Sequence, residues 1–288
     1  MNNQNIRRMT VAGQFYDADK YPLQKLIESF CSQSKKIIPE SSGVRSIIAP
    51  HAGYLYSGKT ACEAYFQAKN NSYDKIVLIS PSHYVGFSGI SLPDYSLAET
   101  PFGNIEIDLE SAGKLDSEFF IKNSRPHVRE HSLEVHLPLI KFFFPQVKLL
   151  PLVCGQIDGS MTESIASSLL KLWDDKTLWI ISSDFTHYGK SFGYLPFASD
   201  IKNNLAKLDR GAIERILAFD EKGFSSYIEK SGATICGSCP IRIILSVLTN
   251  RKKVGDEIKS KLISYTTSGE LTGDFSHCVS YASIVFYS

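Results

Sequence analysis

Short, continuously apolar runs alternate with longer amphipathic ones along most of the chain. Ser46-Ile47-Ile48-Ala49, Lys75-Ile76-Val77-Leu78-Ile79-Ser80, residues 149–153 and Thr177–Ser182 are almost wholly apolar, the pattern of strands covered on both faces. Residues 105–107, 262–265 and 279–287 read as further strands. Helical spacing follows in 59–69, where Ala61, Ala64, Tyr65 and Ala68 share a face, and then near 109–119, 133–144, 161–173, 201–219, 224–230 and 239–248. Within 133–144, Pro138 either kinks the helix or marks a fresh start. Buried strands interleaved with helices predict an α/β fold, a mostly parallel central sheet flanked by helices. No fixed-period repeat, low-complexity tract or Pro/Gly/Ser-rich linker interrupts the pattern, so one domain over 1–288 is expected.

Composition narrows the function classes. At about 150 residues per domain, 288 residues fall between one and two domains, and the missing linker favours one. Lys+Arg 31 against Asp+Glu 30 leaves a net charge of +1, which removes the electrostatic case for a nucleic-acid or membrane-surface partner. No apolar stretch follows Arg7 and Arg8, so no signal peptide is visible. The most apolar stretch, 137–154, is broken by Pro138, Lys141, Pro145, Lys148 and Pro151, too often for a membrane span. The 6 cysteines are scattered through the chain and read as reduced thiols of a cytoplasmic protein.

The ionisable residues gather where strands stop, the place where open α/β sheets bind ligands. His51 follows the first strand in Pro50-His51-Ala52-Gly53-Tyr54, and His83 the second in Pro81-Ser82-His83. Asp184 and His187 follow another in Ser182-Ser183-Asp184-Phe185-Thr186-His187. One histidine after a strand is usually a cap or a surface residue. Three at equivalent positions converge if their strands are neighbours, and then a metal or acid/base site is the better reading.

A fourth element is Thr234-Ile235-Cys236-Gly237-Ser238-Cys239-Pro240. Gly237 and Pro240 frame a loop opening a helix, with Ser238 a plausible N-cap. Cys236 there would have a stabilised thiolate and is expected to be the most reactive thiol when metal is absent, whereas Cys239 packs. A thioredoxin-like reading of Cys236-X-X-Cys239 lacks a nearby strand–helix pattern, and a zinc ribbon would need a second such pair. A small buried thiol is as good a reading of Cys236 as a ligand. In Arg129-Glu130-His131-Ser132-Leu133-Glu134-Val135-His136 the glutamates do not lie between histidines four apart, so the metalloprotease order is absent. On a helix His131 and Glu134 share a face while His136 turns about 140° away. His131 and Glu134 are expected to support the site, and capping by Glu130 and Ser132 is the plain alternative.

These segments, in this order, together with the opening Arg8-Met9-Thr10-Val11-Ala12-Gly13-Gln14-Phe15-Tyr16 and with Ile235-Cys236-Gly237, resemble the Memo family. That family is named for a mediator of ErbB2-driven cell motility and is called AmmeMemoRadiSam system protein B in prokaryotes. The resemblance implies a fold similar to class III extradiol dioxygenases, whose non-haem iron is held by two histidines and a carboxylate. Carried over, His51 and His83 fill the histidine positions, Cys236 stands where the carboxylate would, and His187 resembles the acid/base histidine. A thiolate also accepts copper or zinc. The reading is a metal-dependent redox protein acting on a small-molecule substrate, with His187 and Asp184 as the catalytic pair and Tyr54, His131 and Glu134 around them. The alternative implied by animal members is a non-enzymatic module that recognises phosphotyrosine or acidic peptides.

Overall fold

The computed structural model describes residues 5–115 and 118–288. Residues 1–4, part of the N-terminal reading, and residues 116–117, inside the helix expected over 109–119, lie outside the described residues. The helix seen there is Leu109–Gly113.

In chain order the strands are β1 (Ile6–Arg7), β2 (Val44–Ala49), β3 (Lys75–Pro81), β4 (Ile90–Leu92), β5 (Leu97–Ala98), β6 (Ile105–Glu106), β7 (Phe120–Lys122), β8 (Lys148–Cys154), β9 (Thr177–Ser182), β10 (His187–Gly189), β11 (Lys259–Thr267) and β12 (His277–Tyr287). The four continuously apolar runs become the neighbours β2, β9, β3 and β8, all parallel. Successive residues on each strand serve opposite faces. Ile48, Val77, Ile79, Trp179 and Ile181 enter one core, with the helices Gly159–Leu169, Ile201–Leu217, Glu221–Ser231 and Ser238–Lys253. Ile47, Ile76, Leu78, Leu178 and Ile180 enter the other, with Lys20–Gln33, Tyr54–Ala68 and His136–Phe143. Apolar residues without alternation are therefore what this centre requires.

Parallel pairing holds at the centre and in the edge pair β4–β7. β12 pairs antiparallel with β2, β10 and β11, and β4 pairs antiparallel with β8, so the nine-stranded sheet is mixed. β11 and β12 are joined through the short helix Ser268–Thr272, and a connection that brief allows only antiparallel pairing. β1, β5 and β6 form a separate small sheet. Pro138 is the third residue of His136–Phe143, where its missing N–H would have no helical partner, so the proline marks a fresh start rather than a kink. Among the described residues no helix is long and apolar enough to cross a membrane.

Register fixes what meets at the carboxyl edge of the sheet. Ala49 lies beside Ser182, and Pro81 beside Cys154. The segments that begin at Pro50, Ser82, Ser183 and Gly155 therefore leave the sheet together.

Candidate metal centre

His51 leaves β2 with its backbone N–H donating to Asp184 Oδ1 at 2.8 Å. Its ring is buried, with Nδ1 2.6 Å from Ser182 Oγ and Nε2 3.2 Å from Cys236 Sγ. The serine hydroxyl decides the tautomer. Its single proton goes to the Ser132 carbonyl at 2.7 Å, so both imidazole nitrogens that face it, His51 Nδ1 and His136 Nε2 at 3.0 Å, must donate. His136 Nδ1 then accepts from Tyr65 Oη at 3.0 Å. The lone pair of His51 Nε2 is left facing the cleft.

The same logic holds for the next two histidines. His83 Nδ1 donates to Glu130 Oε1 at 2.8 Å, and its backbone N–H to Glu130 Oε2 at 2.7 Å. His187 Nδ1 donates to the Thr234 carbonyl at 3.0 Å, while Thr234 Oγ1 also bridges the His187 backbone N–H and C=O. In the neutral form of each ring the bonded Nδ1–H leaves the lone pair on Nε2, the arrangement that orients a metal-ligating or proton-accepting imidazole.

His131 completes the group. One ligand atom each from His51, His83 and His131 lie within 4.8 Å of one another. The His83 and His131 ring centroids are 4.5 Å apart, and His51 is 5.3 Å and 5.5 Å from them. His131 Nδ1 is buried with no hydrogen-bond partner, its nearest carboxylate oxygen, Glu130 Oε1, being 3.5 Å away. Burial pushes His51 well below the ordinary imidazole range, with the neighbouring His83 adding to it. Burial, then His83, pushes His131 down to about 4. Neutral imidazoles crowded together with free lone pairs are a donor set for a cation.

Cys236 reaches the site because Gly237 lets its loop touch the sheet. A Cβ on Gly237 would lie 2.3 Å from Ser183 Cβ and 2.6 Å from the Ser182 carbonyl oxygen, so no other residue fits there. The Cys236 sulfur accepts from the Asp184 N–H at 3.3 Å. Burial, and then Asp184, hold its thiol well above the usual range, whereas Cys239 is drawn down to about 6, first by a hydrogen bond from Cys154. Burial therefore opposes the thiolate that the helix terminus is expected to stabilise at Cys236. The N-cap is Gly237 rather than Ser238.

Asp184 is buried, and burial raises its carboxyl above the usual range. His187 lies close enough for its charge to bear on His51, His131 and Asp184. Glu134 and Tyr54 point elsewhere. The Glu134 carboxylate accepts from Arg7 Nη1 (2.9 Å), the Thr10 N–H (2.7 Å), Thr10 Oγ1 (2.7 Å), the Val11 N–H (2.9 Å) and Tyr16 Oη (3.0 Å). It anchors the chain that sets Phe15 against His131, with ring centroids 5.1 Å apart. Tyr54 is buried against Tyr16, and its hydroxyl donates to the Val135 carbonyl at 2.8 Å. Sequence reasoning missed Glu130 as the partner of His83, and Ser182 with His136 as the backing of His51. Glu130 also caps the helix His131–Glu134 through the Ser132 N–H, the role weighed for it from sequence.

The family model described as Memo-like protein matches residues 7–285. A MEMO1 family protein of Thermoplasma volcanium is 34% identical over 283 residues, 97% of this chain and 98% of its own. One of Nitrosopumilus maritimus is 32% identical over 290 residues, 98% of this chain and 99% of its own. Protein MEMO1 of Danio rerio is 30% identical over 293 residues, 98% of each chain. Strand-end histidines, the 130–136 segment and the Cys236 loop all fall inside these matches, and the chain belongs to the Memo-like family.

Proposed function

We propose that this protein is a metal-dependent redox protein that holds non-haem iron, acting on a small-molecule substrate. His51, His83 and His131 would supply imidazole nitrogens, and the Cys236 sulfur, outside that three-histidine group but 3.2 Å from His51 Nε2, would supply a fourth donor. The observation that carries the reading is the buried, unpartnered His131 Nδ1 inside a cluster whose ligand atoms lie within 4.8 Å of one another. A bound cation would satisfy that nitrogen. Imidazole with thiolate suits iron, copper and zinc; the redox reading takes iron, and copper or zinc are outcomes of the test. When bound, the ion would supply electron transfer and a Lewis-acid centre.

The chain's own residues do the rest. Ser182 and Glu130 hold the rings of His51 and His83 in the tautomer that presents Nε2. His187, fixed through Nδ1, keeps Nε2 free to take a proton from a bound substrate or return it. Asp184 holds the backbone of His51 and, with its raised carboxyl, can store a proton beside it.

The test is elemental analysis of protein purified without chelators or immobilised-metal resin, followed by oxygen-consumption assays. One equivalent of iron is expected, lowered more by His131→Ala or Cys236→Ser than by any substitution outside the cluster. Metal-free protein that takes up no ion on titration would defeat the proposal. A second reading draws on Tyr84, which is 59% exposed with its ring against His83 and His131. An aromatic rim over imidazoles, which would donate to an anion once their Nε2 atoms are protonated, also fits a phosphotyrosine or acidic peptide, and tight binding of such a peptide in the presence of chelator would favour that module.

A further inference from the structure

The two cysteines of Cys236-X-X-Cys239 face different partners. Cys236 turns its sulfur to His51 Nε2 and to the Asp184 backbone. Cys239, the second residue of the helix Ser238–Lys253, instead lies within hydrogen-bonding reach of Cys154, the last residue of β8. Cys154, Cys236 and Cys239 all line one cavity of about 300 Å³, whose wall also includes His83, Phe87 and Gln156. Cys154 is 2% exposed, whereas Cys239 is partly open. We infer that Cys154 and Cys239 form a redox-active dithiol, which oxidants of the peroxide class convert to an intramolecular disulfide.

The two thiols divide the work unequally. The Cys154 thiol, the Ile157 N–H, Arg242 and Ser238 all favour the thiolate of Cys239, which is drawn down to about 6. Cys154, facing that thiolate and buried, is pushed up. A low-pKa sulfur on an open cavity with a protonated neighbour is the arrangement of an attacking and a resolving thiol. The Cys239 thiolate attacks the peroxide; an S–O bond forms, the O–O bond breaks and hydroxide leaves, giving a sulfenic acid. The Cys154 sulfur then attacks that sulfur, the S–S bond forms, the S–O bond breaks and the oxygen departs as water. In sum two thiols lose two electrons and two protons, and one peroxide becomes two waters. No metal enters the balance, although His83 and Cys236 of the proposed centre line the same cavity, and the chelator in the test separates the two.

The test uses the reduced full-length chain, with chelator present, exposed to a few equivalents of hydrogen peroxide. Remaining thiols are capped with N-ethylmaleimide before digestion and mass spectrometry. The expected result is loss of two of the 6 thiols and a dithiothreitol-sensitive peptide pair joining Cys154 to Cys239. Cys239→Ser should abolish the cross-link. Cys154→Ala should leave Cys239 as a sulfenic acid that dimedone traps; if that variant does not fold, the wild-type map decides alone. A Cys236–Cys239 link, a link between two copies of the chain, or an unmodified Cys239 would each overturn the inference.

Discussion

Glu130 and Glu134 are buried carboxylates one helical turn apart, and they are satisfied by different kinds of partner. Glu134 meets a permanent cation, Arg7, and four further donors from the segment 10–16. Glu130 meets an imidazole, His83, whose charge is optional. Burial raises both carboxyls, and the partners bring both below their usual range: Arg7 foremost at Glu134, the His83 hydrogen bonds foremost at Glu130. A fixed cation makes a clamp. A titratable partner on the rim of a cleft lets the same carboxylate tune a ligand. The difference places fold-holding on one side of the segment 130–136 and chemistry on the other.

The strongest way to break this contrast is Glu134→Ala. It leaves the Arg7 guanidinium buried without its anion, a change that costs about 3–5 kcal/mol. A large drop in urea midpoint is expected, while the protein that remains folded binds metal with near-native affinity. Full stability in the variant would mean that the clamp is not one.

Ser182→Ala probes the junction of the two sides, since Ser182 Oγ serves His51, His136 and the Ser132 carbonyl at once. Losing the hydroxyl strands buried donors and an acceptor, at a cost of about 1–3 kcal/mol. Metal affinity should fall as well, because His51 loses the partner that fixes its tautomer. Melting curves and metal titrations on the same sample would show both losses; a loss in one alone would split the junction.

Glu130→Gln should behave as the inverse of the clamp variant. The amide keeps the size of the side chain, but its NH2 group must face either the His83 backbone N–H or the donors on Oε1, so it holds His83 less firmly. Removing such a partner of a ligating histidine typically costs 10–100-fold in metal affinity. Stability should fall by about 1–3 kcal/mol, less than in Glu134→Ala, and a variant that unfolds while keeping its affinity would erase the distinction between the two glutamates.

The parts of the molecule that could be read from sequence follow the same division. β2, β3, β8 and β9 announce themselves because both faces are covered, and their register brings His51, His83 and Asp184 to one edge. The helix Lys20–Gln33 gave no comparable signal, since only Leu23 and Ile27 of its residues are buried. The three-residue strands β4, β7 and β10 are too short to show a period. Glu130 was legible as a cap but not as the partner of His83, 47 residues away, because one carboxylate performs both tasks. The backing of His51 by Ser182 and His136 depends on which strands are neighbours, which no local pattern states.

The finest test concerns His127, a histidine on the clamp side. It is buried between Tyr95 Oη and the Ser91 carbonyl, its own carbonyl accepts from Arg7 Nε at 2.8 Å, and burial holds its ring down at about 4. Between about pH 4 and 6.5 the unfolded chain protonates this ring and the folded chain does not, so the unfolded state binds the extra proton. Stability therefore rises with pH across that window and is lost as the pH falls, by about 1.4 kcal/mol per pH unit for one such group. His127→Asn should flatten the slope of unfolding free energy between about pH 5 and 6 by roughly one proton. Loading with metal should leave that difference between wild type and variant unchanged, because His127 belongs to the clamp and not to the cluster. If metal abolished it, the two sides of the segment would be one electrostatic unit, and the contrast between Glu130 and Glu134 would have to be withdrawn.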